Sequence, residues 1–357
     1  MAKVIVGMSG GVDSAVAAYL LKEAGHEVIG VTLRTWISDD GEESRCCEID
    51  DARAVAQKIG IPYHVFNCVS DFKCKVLDPF INDYIHGYTP NPCVICNRYI
   101  KWDKMAYFAK VLGADCIATG HYASVIMLDN GRYTVQKALH AEKDQTYMLY
   151  MLTQEQLAET LMPLGKLSKQ EVRHIAEQAG IPVADKPDSQ EICFVTDGHY
   201  SEFIEQHTTD TIPGEGKFVD EAGNILGTHK GITHYTVGQR KGLGIALGHP
   251  AYVKQIRAET NEVVIGDEDS LLSRHIICAN VNWMSIPGIN EGETLRCRVK
   301  IRYHHSARDA CVEAAEGNRA HIFFDEPVKA AAPGQSAVFY DENDCVIGGG
   351  IIIAAAD

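Results

Sequence analysis

Lys3-Val4-Ile5-Val6-Gly7-Met8-Ser9-Gly10-Gly11-Val12-Asp13-Ser14-Ala15-Val16-Ala17-Ala18-Tyr19-Leu20-Leu21 is the stretch whose reading decides the fold. A short apolar run breaks at Gly10-Gly11 and re-emerges as an alanine- and leucine-rich segment, the pattern of strand, tight loop and helix. Two residues without Cβ let the backbone approach a ligand closely. The unpaired N–H groups at the helix start, with its dipole, then suit phosphate. Ser9 and Ser14 add hydroxyl donors, and Asp13 is placed to hold a Mg²⁺ that bridges phosphate oxygens. No Gly-Lys-Ser/Thr follows the glycines, so this is not the Walker loop. The plainer alternative is a glycine-rich turn with no ligand; an intact motif at the first strand of an α/β pattern argues against it.

Working outward, residues 27–33 and 63–66 read as buried strands. Residues 50–59 read as a helix stopped by Gly60 and Pro62, with further helices over 71–84 and 102–112 and a fourth strand at 116–119. Strands alternating with helices imply a parallel sheet whose ligands collect at strand carboxyl ends. Residues 8–13, Leu33 and Gly120-His121 all fall at such ends. Ser168-Lys169-Gln170-Glu171 is a capping box that opens a helix closed by Gly180 and Pro182. Past about residue 205 glycines multiply and short strands alternate, which suggests a small barrel at the end. The expected fold is α/β: an N-terminal parallel-sheet domain (1–204), a small β-rich central domain (205–272) and a C-terminal β-barrel (273–357).

The 357 residues carry a formal net charge of −15, which argues against wholesale nucleic-acid binding but not against a local basic stripe. The start runs straight into a strand and no apolar run approaches bilayer length, so a cytoplasmic location with no membrane partner is expected. Twelve cysteines in such a chain point to thiol chemistry or metal rather than a disulfide framework. In Tyr88-Thr89-Pro90-Asn91-Pro92-Cys93-Val94-Ile95-Cys96-Asn97-Arg98 two prolines stiffen a loop that presents two thiols beside an arginine and a helix start. Half of a zinc site is the alternative, with Cys46-Cys47 as remote partners. Cys193, between Ile192 and Phe194, reads by itself as a buried core thiol. The fifteen histidines show no metal spacing, and no metal site is expected.

In Arg296-Cys297-Arg298-Val299-Lys300-Ile301-Arg302-Tyr303-His304 the basic side chains recur at every second position. On a strand they would share one face, with Cys297, Val299, Ile301 and Tyr303 on the other. No acidic residue falls between Thr294 and Arg308. A solvated face usually mixes signs, whereas a one-signed stripe is the footprint expected for phosphates. Gln239-Arg240-Lys241, followed by Gly242 and Gly244, would extend it.

Six segments occur in order: GMSGGVDS (7–14), TPNPCVICN (89–97), ATGHYA (118–123), KDQTYML (143–149), KPDSQEICF (186–194) and YTVGQRKGLGI (235–245). Together they resemble the tRNA 2-thiouridylase family of PP-loop ATP pyrophosphatases, over essentially the whole chain. The resemblance implies that Gly7, Met8, Ser9, Gly10, Gly11, Val12, Asp13 and Ser14 bind ATP, with Mg²⁺, and that Leu33 and Gly120 line the adenine and ribose side. Cys96 would be the nucleophile and Cys193 the carrier of a persulfide. Asn91, Pro92 and Cys93 would lie against the target base, uridine 34, while Lys143, Asp144, Gln145, Arg302 and Tyr303 would touch the tRNA. A persulfide sulfur-relay protein or cysteine desulfurase is the implied second partner.

One departure stands out. Some members of the family have an aspartate where this chain has Cys93, and a thiol at its ordinary pKa is a poorer general acid near neutrality. Asp188 is the alternative carboxylate. The implied chemistry ends in a Cys96–Cys193 disulfide, formed directly or after release of hydrogen sulfide. An iron–sulfur cluster on Cys93, Cys96 and Cys193 is a further alternative, not the expectation. Two other functions compete. A PP-loop synthetase or amidotransferase would not need the paired loop cysteines, and no glutaminase module is visible. A non-catalytic RNA-binding protein would not need an intact SGGVDS loop.

Overall fold

The computed structural model describes residues 1–37, 47–186, 192–195 and 200–356. Cys46 and Asp188 lie outside the described residues. Strand β1 (Lys3–Gly7) is the centre of a five-stranded parallel sheet in the order Tyr63–Asn67, β2 (Glu27–Arg34), β1, Cys116–Ala118, Thr160–Leu161. Its apolar residues run without alternation because both faces are covered. Ile5 joins a core with Phe72, Phe80 and Trp102, while Val4 and Val6 pack on Val16 and Leu21 of helix α1 (Val12–Glu23). From β1 the chain moves to one side through β2 and returns on the other through Cys116–Ala118. That reversal opens a crevice at the carboxyl end of β1.

Two helices differ from expectation. The helix foreseen over 71–84 is Val69–Phe72, a π-helical turn Lys73–Leu77, and Asp78–Ile85. The one foreseen from 102 begins ten residues earlier, as Pro92–Cys96, followed by a π-helical turn Asn97–Trp102 and Asp103–Leu112. Pro92 reads as stiffening a loop, but at the first helical position its missing N–H costs nothing and its fixed φ favours the helix. Cys93 and Cys96 therefore stand in a first helical turn, not in an open loop, and the widened turn follows Cys96 directly. The capping box is made: Glu171 N–H donates to Ser168 Oγ at 3.2 Å, and Ser168 N–H to Glu171 Oε2 at 2.7 Å.

The central region is a four-stranded sheet in the order Tyr252–Arg257, Glu262–Gly266, Gly216–Val219, Ile225–His229, packed around Phe218, Tyr235 and Val253. The last region is a closed six-stranded antiparallel barrel. Its strand Thr294–Lys300 stops before Ile301, and residues 301–304 form a turn, so Arg302 and Tyr303 are not on the strand foreseen for them. No helix among the described residues is long and apolar enough to cross a membrane.

Candidate active site

The loop between β1 and α1 is held from within. Ser14 Oγ donates to Gly11 O at 3.0 Å and accepts from Ser9 N–H at 3.2 Å, while Gly11 N–H points at Ser9 Oγ. Met8 O accepts the Thr32 hydroxyl at 2.6 Å, which ties the loop to β2. Gly10 has φ +82, and a Cβ there would lie 2.7 Å from Glu48, so only glycine fits both torsion and space. Gly120 closes the crevice from the other side: a Cβ on it would stand 2.7 Å from the backbone of Asp13 and Ser14. Leu33 is buried in the core above β2, its carbonyl accepting the Cys47 thiol at 3.1 Å.

Asp13 is engaged from two directions. Lys169, at the start of the capped helix Lys169–Gln178, reaches its two carboxylate oxygens at 2.7 and 2.9 Å. The Tyr122 hydroxyl donates to Oδ1 at 2.7 Å. Gln145 in turn brackets Tyr122, its Oε1 accepting Tyr122 N–H at 3.0 Å and its own N–H donating to Tyr122 O at 3.1 Å. Lys169 and Tyr122 were not singled out from sequence; the capping box marked the helix, but nothing local marked what its first residue meets. His121 beside them lies over Trp102, with its Nδ1 2.8 Å from Thr119 Oγ1. Burial, then the charge of Lys101, keeps its imidazole neutral well below the ordinary range.

The thiols are unequal. Cys93 is exposed, Cys96 buried and Cys193 half-buried, and Cys193 packs against the same apolar core that contains Cys96. That segment is fixed at Phe194, whose ring meets Phe72 and Phe80 edge-on. Among the described residues no three His, Cys, Asp or Glu side chains are gathered to hold a metal ion. Asn97 Nδ2 donates to Met148 O at 3.0 Å, and Asn91 Nδ2 lies 3.6 Å from Met148 Sδ. The barrel grips the segment before Pro92: Thr89 N–H donates to Pro333 O at 2.7 Å and Gln335 Nε2 to Thr89 O at 2.9 Å. Gln335 carried no signal in the sequence.

The residues foreseen for tRNA have partners within the protein. Asp144 is buried, both oxygens accepting the Thr146 hydroxyl, and Lys143 is half-buried in a short turn. Burial, then the charges of Asp144 and Cys93, raise the pKa of the Tyr303 hydroxyl, and Lys300 Nζ sits 5.4 Å from its ring centroid. Alternation on Thr294–Lys300 holds, with Val299 facing the barrel core. The arginines of the stripe are nevertheless engaged within the protein. Arg296 makes a two-pronged bond to Asp325 at 2.8 and 2.7 Å, and Arg298 pairs with Asp344 at 2.9 Å. Arg302 Nη2 donates to Val237 O and Ala330 O, both at 2.8 Å, while its Nε is buried without a partner. The acids come from other strands and turns, where a linear reading does not look.

Models of three families match in succession: a tRNA methyl transferase HUP domain at residues 2–197, a tRNA methyl transferase PRC-barrel domain at 201–267 and an aminomethyltransferase β-barrel domain at 273–352. The tRNA-specific 2-thiouridylase MnmA of Lachnoclostridium phytofermentans is 52% identical over 99% of this chain and 100% of its own length. That of Clostridioides difficile is 49% identical over 98% of each. Among solved structures, the U34-tRNA thiolase NcsA of Methanococcus maripaludis with its [4Fe-4S] cluster overlaps 54% of this chain and 60% of its own, at 23% identity and a TM-score of 0.36. With half of its residues shared over full length, the chain belongs to the tRNA-specific 2-thiouridylase MnmA family.

Proposed function

We propose that this chain thiolates the wobble uridine, U34, of tRNA at C2, with Cys193 carrying the sulfur and Cys96 resolving it. Membership of the family makes it an ATP-dependent tRNA sulfurtransferase built on a PP-loop. The observation that carries the finer reading is the conjunction of an ordered SGGVDS loop with two thiols bordering one core. A pyrimidine C2 carbonyl is a poor electrophile and its oxygen a poor leaving group. Its attack on the α-phosphate of ATP expels pyrophosphate and makes an adenylate. The terminal sulfur of a Cys193 persulfide then attacks C2 and AMP leaves. Cys96 thiolate attacks Cys193 Sγ, breaking the S–S bond; the electron pair stays on the sulfur now on C2, and a Cys96–Cys193 disulfide remains for an external thiol to reduce. The loop N–H groups, Ser9 and Ser14 would hold the phosphates, and Asp13 is the carboxylate at hand for Mg²⁺, which would neutralise phosphate charge. A persulfide relay protein or cysteine desulfurase would load Cys193.

The test is thiolation of unmodified tRNA by purified protein with ATP, Mg²⁺ and a persulfide donor. Sulfur at C2 of uridine, with AMP and pyrophosphate released and loss of both thiolation and its disulfide in Cys193→Ser, is the expected result. AMP formed without thiolated base would keep the PP-loop and discard this acceptor. Activity confined to anaerobically reconstituted, coloured protein would make the cysteines cluster ligands.

A further inference from the structure

Among the described residues, part of the positive charge that makes no salt bridge lies off the barrel stripe. Lys230, Arg240 and Lys241, in the loops of the central sheet, make no salt bridge among the described residues, although the charge of Arg240 is felt by Glu268, whereas Arg296, Arg298 and Arg302 are each engaged within the protein. Lys230 and Arg240 edge two adjoining open cavities, and Lys241 lies between Arg240 and Gly242 in the chain. One, of about 310 Å³, is lined by Tyr200, Ser201, Lys230, His234, Gln239 and Gly242. The other, of about 540 Å³, is lined by Arg240 and residues 242–251, and the two meet at Gly242. Gly242, Gly244 and Gly248 all have positive φ, so the loop winds as a glycine backbone with no side chain shielding its amides there.

The surface connects to the candidate active site through short contacts. Tyr303, whose ring centroid lies 6.1 Å from that of Tyr147, is followed back by Arg302, whose Nη2 holds Val237 O. Two residues on is Gln239, whose Oε1 accepts Thr236 N–H at 3.0 Å and whose Nε2 donates to Lys241 O at 3.1 Å. Gln239 thereby ties the Lys241 carbonyl to the turn whose Val237 carbonyl Arg302 holds. We infer that the glycine-rich loop of the central domain, with Lys230, Arg240 and Lys241, is an RNA phosphate-binding surface that seats the tRNA backbone while its base enters near Cys93. Arg302 acts as the strut that sets the distance between the two. On a chain of net charge −15, polyanion affinity must come from such a local cluster. The inference rests on the tRNA reading above.

The experiment measures tRNA binding to the full chain across a salt series, for wild type, Arg240→Ala/Lys241→Ala and the charge-keeping Arg240→Lys/Lys241→Arg. Loss of two phosphate contacts should weaken binding about ten-fold or more at moderate salt and flatten the log–log salt slope by about two. The charge-keeping pair should retain both, and ATP affinity should be the same in all three. Wild type that binds no tRNA sinks the functional reading itself. Wild type that binds, with an alanine variant of equal affinity and slope, overturns the phosphate surface alone. So does an alanine variant that binds tRNA normally and fails only when sulfur comes from a donor protein, which would make the surface a protein dock.

Discussion

Lys169 Nζ stands 2.7 and 2.9 Å from the two carboxylate oxygens of Asp13, across 156 positions of sequence. The pair is mostly shielded, with the Lys169 side chain 13% exposed. Its Nζ is thus a fixed cation beside the loop that would take a triphosphate. Lys169→Met removes that charge and leaves Asp13 facing the phosphates without its partner. Apparent ATP affinity should fall about ten-fold or more, some 1.4 kcal/mol, while tRNA affinity holds. Isothermal titration with a non-hydrolysable ATP analogue decides it; equal affinity would reduce Lys169 to a structural partner.

Gly120→Ala tests the crevice by volume alone. The new methyl would meet Asp13 and Ser14 backbone at 2.7 Å, and backbone cannot swing aside as a side chain does. Overpacking of this kind costs about 1–3 kcal/mol. A lower thermal midpoint with weaker ATP binding is expected. A variant with wild-type stability and nucleotide affinity would mean the two loops separate freely.

Cys96→Ser and Cys193→Ser should differ in what they leave intact. Both should keep tRNA-dependent pyrophosphate release, because adenylation uses no thiol. Cys193→Ser should lose persulfide-supplied thiolation by about two orders of magnitude or more, since a serine hydroxyl cannot carry the sulfur to be transferred. Cys96→Ser should accumulate tRNA joined through sulfur to Cys193, visible by mass spectrometry and released by reductant. Free turnover of Cys96→Ser without reductant would end the resolving role.

His121 makes a pH prediction. Burial first, then Lys101, lowers its folded pKa well below 6.5, the value near which the unfolded chain titrates. Below 6.5 the unfolded state therefore binds the extra proton, so stability present above 6.5 is lost as pH falls toward the lower folded value. The loss is at most about 1.4 kcal/mol per pH unit. Denaturant melts from pH 7 to 5 should fall more steeply for wild type than for His121→Gln. Parallel curves would place the acid sensitivity elsewhere.

What the sequence disclosed follows from locality. Strand, glycine pair and helix are consecutive, so the SGGVDS loop and its β1–α1 frame were legible, as were the capping box at Ser168 and the closed barrel that ends the chain. Pro92 misled because a residue that stiffens a loop fits the first helical position equally well. The partners of Asp13, Arg296 and Arg298 were invisible because they arrive from remote turns and strands. Charge pattern along a line predicts a face; only the fold says what is already sitting on it.

Arg302 separates the two accounts of tRNA contact. Its Nη2 bonds join the central domain to the barrel at Val237 O and Ala330 O, and burial lowers its tendency to hold charge. Arg302→Met keeps the aliphatic stem and leaves both carbonyls without that donor. Losing hydrogen bonds from a charged group in this setting should cost about 2–3 kcal/mol, read as a lower denaturant midpoint. If Arg302 is a strut, the tRNA salt slope stays at the wild-type value even as affinity drops, because no phosphate contact is removed. If it is a phosphate ligand, the slope falls by about one with little change in the midpoint. Stability and salt slope thus move in opposite combinations, and a single pair of titrations on one variant distinguishes them.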